Sequence, residues 1–419
     1  MKECWRLFYN PNFKHLFQLR GLNFLNAEIG CLTLPFLIKA FTESPLWAGI
    51  VYAVFRLAIA FFNIPAGYFV DRFSPKAVMF ISYIIRSAVY FGVGFLGYIG
   101  WLSLPFVALA YVMIGIFGVS QTTALRALVP FVVRKGQALR ANSVFESCYN
   151  LASIIGPIVG GFVITYFGVM SGLCVQAIIS LVMVVLTIQM PALDAKRTHA
   201  VEEKGDYLAG ISYFLDKDLN SRMLLSVLMV TSLASGAIAV IGSIGVFYLN
   251  TVHSFDAKTI GILFSLTSVV NMSLTLQIPY LTSVIGTKRM LVFGSLFCST
   301  ALLMIGWADS SYLIAAAFIL GDFGMSIHRV SWQSLCHTLV PKELMGRAIG
   351  AFNMFYVGVI PVSVALFGFM AKFWGYQTSF TIYGIICIVS IAPCFFGAMR
   401  LLDVQKSAAP ASSALTQSG

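Results

Sequence analysis

The chain has 419 residues, of which 59% are hydrophobic and 10% charged, with a mean hydropathy of +0.87. A soluble domain carries about 25% charged residues, so a water-soluble enzyme or binding module is excluded by surface chemistry alone. The net charge of +11 does not point to nucleic acid: Lys and Arg gather in the loops on one side of the apolar runs, the pattern that orients a membrane protein.

Residues 1–15 are polar and aromatic, and the first apolar run is too long for a signal-peptide core. Membrane helices are expected over 17–41, 46–70, 77–100, 102–125, 143–167, 170–190, 223–249, 259–281, 289–307, 312–335, 348–373 and 377–401. Runs of this length satisfy their backbone in lipid only as helices. With the N-terminus placed inside, the inner loops hold Arg72, Lys76, Arg134, Lys135, Arg140, Lys288, Lys342 and Arg347 among others. The outer loops hold little beyond Lys39, Lys258 and Lys372. Both termini are then cytoplasmic. The eight cysteines are scattered and form no metal-ligand or disulfide spacing.

The expected organisation is a six-helix bundle over 1–190, a cytoplasmic linker over 191–222 with an amphipathic piece at Tyr207–Leu219, a second bundle over 223–403 and a disordered tail over 404–419. The halves repeat. Gly67, Asp71, Arg72 and Lys76 follow the second span, and Pro279, Ser283 and Lys288 stand in the corresponding places after the eighth; Asp71 and Ser283 are 212 residues apart. Leu128-Val129-Pro130 follows the fourth span and Leu339-Val340-Pro341 the tenth, 211 residues apart. Two homologous halves imply a substrate site between them at the membrane midplane.

Three motifs carry a family resemblance over nearly the whole chain. Gly67-x-x-x-Asp71-Arg72-x-x-x-Lys76 resembles the cytoplasmic loop motif of the major facilitator superfamily, with Ser74 and Pro75 in place of its usual Gly and basic residue. Pro341-Lys342-Glu343-Leu344-Met345-Gly346-Arg347 resembles the loop after helix 10 in the branch of enterobactin exporters and macrolide-efflux pumps. Gly156-Pro157-x-x-Gly160-Gly161 resembles the helix 5 motif associated with antiporters. The resemblance implies an all-α membrane fold of twelve helices in two pseudo-symmetric six-helix bundles, and export as the direction. The chain departs from the family in lacking an Arg at the middle of helix 4 and in carrying Ser283 where the first half has Asp71.

Ionisable residues at membrane depth cost about 2.5–3.5 kcal/mol on insertion scales, so each is a functional candidate. Glu28, flanked by Asn23, Asn26 and Gly30, has the burial that a proton-coupling carboxyl needs. Asp322, with His328 and Arg329 further along helix 10, and Glu146, with Asn142 and Asn150 on its face of helix 5, are the other proton-coupling candidates. His328 is expected to snorkel to or cap at the inner interface. Arg56 cannot shed its charge and is expected to pair with Glu28 or to meet an anionic substrate; Arg86 is more readily structural. Asn26, Arg56, Tyr149 and Tyr356 are the substrate-binding candidates, with Phe145 and Phe355 as further aromatics that either stack on substrate or simply pack. Gly67, Asp71, Arg72, Gly156, Pro157, Gly160, Gly161 and Arg347 are assigned to gating. Asp71 and Arg72 either latch the inner face or only enforce topology. The glycines permit close helix approach.

No P-loop, HExxH or Gly-x-Ser-x-Gly is present. The sequence thus reads as a monomeric secondary transporter of a bacterial inner membrane, without cofactor or metal and without nucleic-acid partner. The proton gradient is its expected energy source, and its expected cargo is a small amphipathic molecule of siderophore or drug type moved outward. The alternatives are a proton-coupled importer and a lipid translocator.

Overall fold

The computed structural model describes residues 6–133, 137–190, 219–340 and 345–392. Among the described residues every regular element is helical. The first four long helices are α1 (Pro11–Lys39), α2 (Pro45–Arg72), α3 (Pro75–Tyr98) and α4 (Leu104–Val132). Each has proline in its first turn, where the missing N–H costs nothing. Asn10 and Ser74 cap α1 and α3: Asn10 accepts from the Asn12 N–H at 3.0 Å and Ser74 Oγ from the Ala77 N–H at 3.1 Å. Ser74-Pro75, the departure from the superfamily loop motif, is therefore the start signal of α3.

α5 (Ala138–Phe167) turns into α6 (Val169–Gln189) at Gly168, whose φ of +84° is open to glycine. α7 runs over Leu219–Val240, relaxes into a π-helical turn at Ile241–Gly245 and continues over Val246–Thr251. α8 (Ala257–Thr275) stops short of its expected end and is followed by a separate helix at Ile278–Ile285, because Pro279 cannot continue the hydrogen-bond ladder. α9 (Thr287–Trp307) and α10 (Ser311–Leu339) follow. The last helix, Met345–Val389, is broken at Gly375 with φ 78° and ψ 166°.

Among the described residues eleven helices are long and apolar enough to cross a membrane. The eleventh has 36 such residues, Met354–Val389, far more than the ~20 that one crossing uses. Gly375 divides it, giving α11 (345–374) and α12 (376–389) and a total of twelve spans. The bulk of the expected linker, the tail, residues 134–136 and Pro341–Leu344 of the second loop motif lie outside the described residues.

Two compact units are formed. One comprises Met1–Val201 with Ser243–Val269, the other Glu202–Gly242 with Val270–Gly419. The chain thus changes unit at the π-helical turn of α7 and again within α8. The first unit has its core among Phe13, Leu16, Leu19, Tyr83, Leu125 and Phe145. The second has Leu224, Val227, Leu291, Trp332 and Phe352.

Candidate functional site

α1 carries two faces. Arg20, Phe24, Ala27, Glu28 and Cys31 recur at helical spacing and all retain exposure, whereas Leu19, Asn26, Ile29 and Thr33 are buried. The open stripe spans roughly 16 Å at 1.5 Å per residue. Beyond Cys31 the helix is buried almost throughout. There the 243–269 segment covers it, with Lys39 Nζ donating to the Asn250 carbonyl at 3.2 Å. A charged stripe facing hydrocarbon would cost several kcal/mol, so this is the wet face of the first unit.

Asn26 does not belong to it. Its side chain is 0% exposed and donates to the Gln176 carbonyl and to Ser180 Oγ, both at 3.0 Å. Gln176 Nε2 donates back to the Asn26 carbonyl and Oδ1 at 3.1 Å. The substrate-binding expectation for Asn26 is therefore replaced by a structural one: it ties α1 to α6. Gly30 admits Gln176, whose Nε2 would stand 2.9 Å from a Cβ there.

At the middle of the stripe Glu28 is backed by Gly156 of α5, where any Cβ would collide with that of Glu28. Arg56 approaches from α2, its guanidinium 5.7 Å from the Phe55 ring. The Cys31 thiol lies within electrostatic reach of both Glu28 and Arg56, so the two charges share one neighbourhood. Nearer the N-terminal end of α1, Arg20 lies within electrostatic reach of Glu146 and Arg126. Its guanidinium sits 4.6 Å from the Phe145 ring and 5.6 Å from that of Phe24. Phe24 meets Tyr149 edge-on at 5.3 Å. Phe145 is 1% exposed and is packing rather than a contact surface. Sequence reading passes over Arg20; the signal it leaves is the four-residue step Arg20, Phe24, Glu28.

Arg86 is buried between helices at 5% exposure. It donates to Asn23 Oδ1 at 3.3 Å and to the Tyr90 hydroxyl at 3.1 Å, and Gln121 Nε2 donates to the same Asn23 oxygen. These neutral partners cross-link α3, α1 and α4, which is the structural role expected for it.

The glycine strip of α5 serves two neighbours. Gly156 and Gly160 lie against Glu28 and Ile29 of α1. On the other side Gly161 faces α8, where a Cβ would stand 2.5 Å from the Ala257 carbonyl oxygen, and Pro157 presents its carbonyl to Gly261. Ser265 Oγ donates to the Ile154 carbonyl at 2.6 Å and the Lys258 N–H to Thr165 Oγ1 at 2.9 Å. Residues 257, 261 and 265 thus form an antiparallel seam with α5 at backbone-contact distance.

In the last turns of α2, Arg72 Nη1 donates to the Tyr68 hydroxyl at 2.8 Å. Lys76 Nζ donates to the Met190 and Ile188 carbonyls at 2.5 and 3.3 Å, capping the C-terminus of α6. Asp71 occupies the last turn of α2 and Gly67 precedes it by one turn, where a Cβ would meet nothing within 4 Å.

In the second unit Gly321 and Gly324 seat α10 against α7 and α9: Gly321 against Ile238 and Ala301, Gly324 against the Gly294 carbonyl and Cys298. Asp322 is half-buried on the remaining side, within electrostatic reach of Arg329 two turns on. His328 corrects an expectation. It neither snorkels nor caps; it is 0% exposed in the α9–α10 seam, Nε2 3.2 Å from Ser295 Oγ. Tyr356 is half-buried and stacked on Phe352 at 5.8 Å, and its carbonyl accepts from Ser235 Oγ. Arg347 lies in the first turn of α11. Among the described residues no group of His, Cys, Asp and Glu is placed to hold a metal.

The sequence model of the Major Facilitator Superfamily matches residues 16–364 and, in a second alignment, 228–417. The chain belongs to the Major Facilitator Superfamily. It is 22% identical to the multidrug efflux pump Tap of Mycolicibacterium fortuitum, over 90% of this chain and 93% of that one. It is 20% identical to the enterobactin exporter EntS of Escherichia coli O1:K1 / APEC, over 88% of each. The crystal structure of the nucleoside transporter NupG superposes with a TM-score of 0.73 at 16% identity, covering 91% of this chain and 98% of that one. Family membership makes the chain a multi-pass membrane transporter, and the shared fold is one of twelve helices in two pseudo-symmetric bundles.

Proposed function

We propose that this transporter exports a small amphipathic molecule from the cytoplasm of a bacterium across its inner membrane, driven by the proton gradient through alternating access. The stripe on α1 is its substrate path, and Arg56, Tyr149 and Tyr356 contribute to binding. Both termini are cytoplasmic, the two sequence halves 1–190 and 223–403 are the moving bodies, and the protein acts as a monomer without cofactor. Export is favoured by the efflux functions named for Tap and EntS, to which the chain is similar.

The observation that carries the reading is Glu28 backed onto Gly156. The same glycine strip closes on α8 through Gly161 and Pro157. A change of charge on Glu28 alters its hydration and hence the α1–α5 contact, and α5 carries that change to the seam. Proton binding is thereby linked to opening without a long relay. Asp322 and Glu146 are the further proton sites, while Asp71, Arg72 and Arg347 stabilise the cytoplasmic face when the path opens outward.

The test is proton-gradient-driven uptake into inverted vesicles, or efflux from loaded intact cells. Glu28→Gln is expected to abolish the proton dependence of efflux while the purified protein keeps its elution profile. Unchanged proton-driven efflux in that variant refutes the role of Glu28.

A further inference from the structure

Arg20 of α1 lies over the Phe145 and Phe24 rings near the N-terminal end of the open stripe, within electrostatic reach of Arg126 from α4 and Glu146 from α5. Arg126 and Glu146 are exposed and Arg20 is half-buried. Arg20 thus has one cation and one carboxylate in its electrostatic neighbourhood, and the three groups together carry a net positive charge. Next to it stands an aromatic wall: Arg20 lies over Phe145 and Phe24, and Phe24 abuts Tyr149.

Charges that merely set topology have no need of this arrangement. In open loops two arginines avoid each other at no cost, and water screens them. Here Arg126 lies within electrostatic reach of Arg20, which is half-buried among helices, where like charges repel more strongly than in open water. An arriving anion relieves that repulsion. An aromatic group lying on Phe24 and Tyr149 gains stacking contact at the same time, and its anionic end then falls next to the guanidinium, which is built for planar oxyanions.

We propose that Arg20 and Arg126, with the Phe24–Tyr149 wall, form a subsite for the anionic head of an aromatic substrate, a carboxylate or an acidic phenol. Glu146 is its competitor: from within electrostatic reach of Arg20 it offsets part of the positive charge that a substrate anion meets. Arg20 is the specificity-determining residue. The proposal rests on the transporter reading only in taking the stripe as the substrate path.

Equilibrium binding without any gradient separates the two. The protein in lipid nanodiscs is titrated with 2-naphthoate and with its neutral isostere 2-naphthamide. Naphthoate is expected to bind at least about tenfold more tightly, the worth of one charge-assisted hydrogen bond. Arg20→Gln removes that preference while leaving naphthamide binding unchanged, which also reports that the fold is intact. Arg20→Lys keeps part of it. Glu146→Gln tightens naphthoate binding and leaves naphthamide unaffected. Equal affinity for the two probes, no naphthoate binding, or an unchanged preference in Arg20→Gln overturns the subsite. Loss of proton-driven efflux with the naphthoate preference intact refutes the export reading and not this one. Efflux with no preference refutes this one alone.

Discussion

Replacing Gly261 by alanine tests the α5–α8 seam directly. The new methyl collides with the Pro157 carbonyl oxygen and stands 3.0 Å from the Pro157 carbonyl carbon and 3.3 Å from the Gly161 Cα. All three atoms are backbone, so no rotamer change relieves the contact and the helices must separate. Overpacking of this kind costs about 1–3 kcal/mol. Separation also stretches the 2.6 Å bond from Ser265 Oγ to the Ile154 carbonyl, an interhelical hydrogen bond worth about 0.6 kcal/mol in a membrane. The sum, roughly 1.6–3.6 kcal/mol, disfavours the closed seam by about 15- to 400-fold. A cysteine pair replacing Thr165 and Lys258, whose side chain and backbone are now 2.9 Å apart, reads the closed state by cross-linking yield. The yield is expected to fall by at least about tenfold in Gly261→Ala. Gly92→Ala, where the methyl meets nothing within 4 Å, is the control and leaves it unchanged. Undiminished cross-linking in Gly261→Ala refutes the claim that this contact holds the seam shut.

Asn26→Ala removes the side-chain bonds to the Gln176 carbonyl and Ser180 Oγ and the one received from Gln176 Nε2, and is expected to destabilise the first unit by about 1–3 kcal/mol; thermal unfolding in detergent measures it, and a transition unmoved from wild type counts against the tie to α6. Lys76→Met removes the cap on the Met190 carbonyl and costs about 0.3–1 kcal/mol, read in the same way, with transport retained. His328 is sealed between α9 and α10, so diethyl pyrocarbonate is expected to leave it unmodified in the folded protein and to modify it after unfolding; rapid labelling of the native protein contradicts the burial.

The twelve spans were legible because membrane burial demands long apolar helices, and because glycine and proline punctuate them. Gly375 separates two helices that hydropathy alone runs together. The glycine strip of α5 was legible as a packing surface, though not that it serves α1 with one edge and α8 with the other. Polarity within a span was a poorer guide. Asn26 and Glu28 differ by two residues, which turns them about 200° apart on a helix of 3.6 residues per turn; one is sealed against α6 and the other stays open. His328 shows the same limit. Its position near a span end suggests the interface, yet the Gly294–Gly324 crossing draws α9 and α10 together around it. Arg20 escaped notice because a basic residue near the start of a span reads as an orientation signal until its aromatic neighbours are known.

The seam also bears on how the protein is made. Gly161 and Gly261 are separated by 100 residues of chain (261 minus 161). At a synthesis rate of about 5–20 residues per second, α5 waits on the order of 5–20 s in the bilayer before its backbone partner emerges. During that interval the strip of Gly156, Pro157, Gly160 and Gly161 has only α1 to cover it. A ribosome-bound chain stopped before residue 243 therefore exposes a ready helix-pairing surface, and lipid or an insertion chaperone must shield it until α8 arrives.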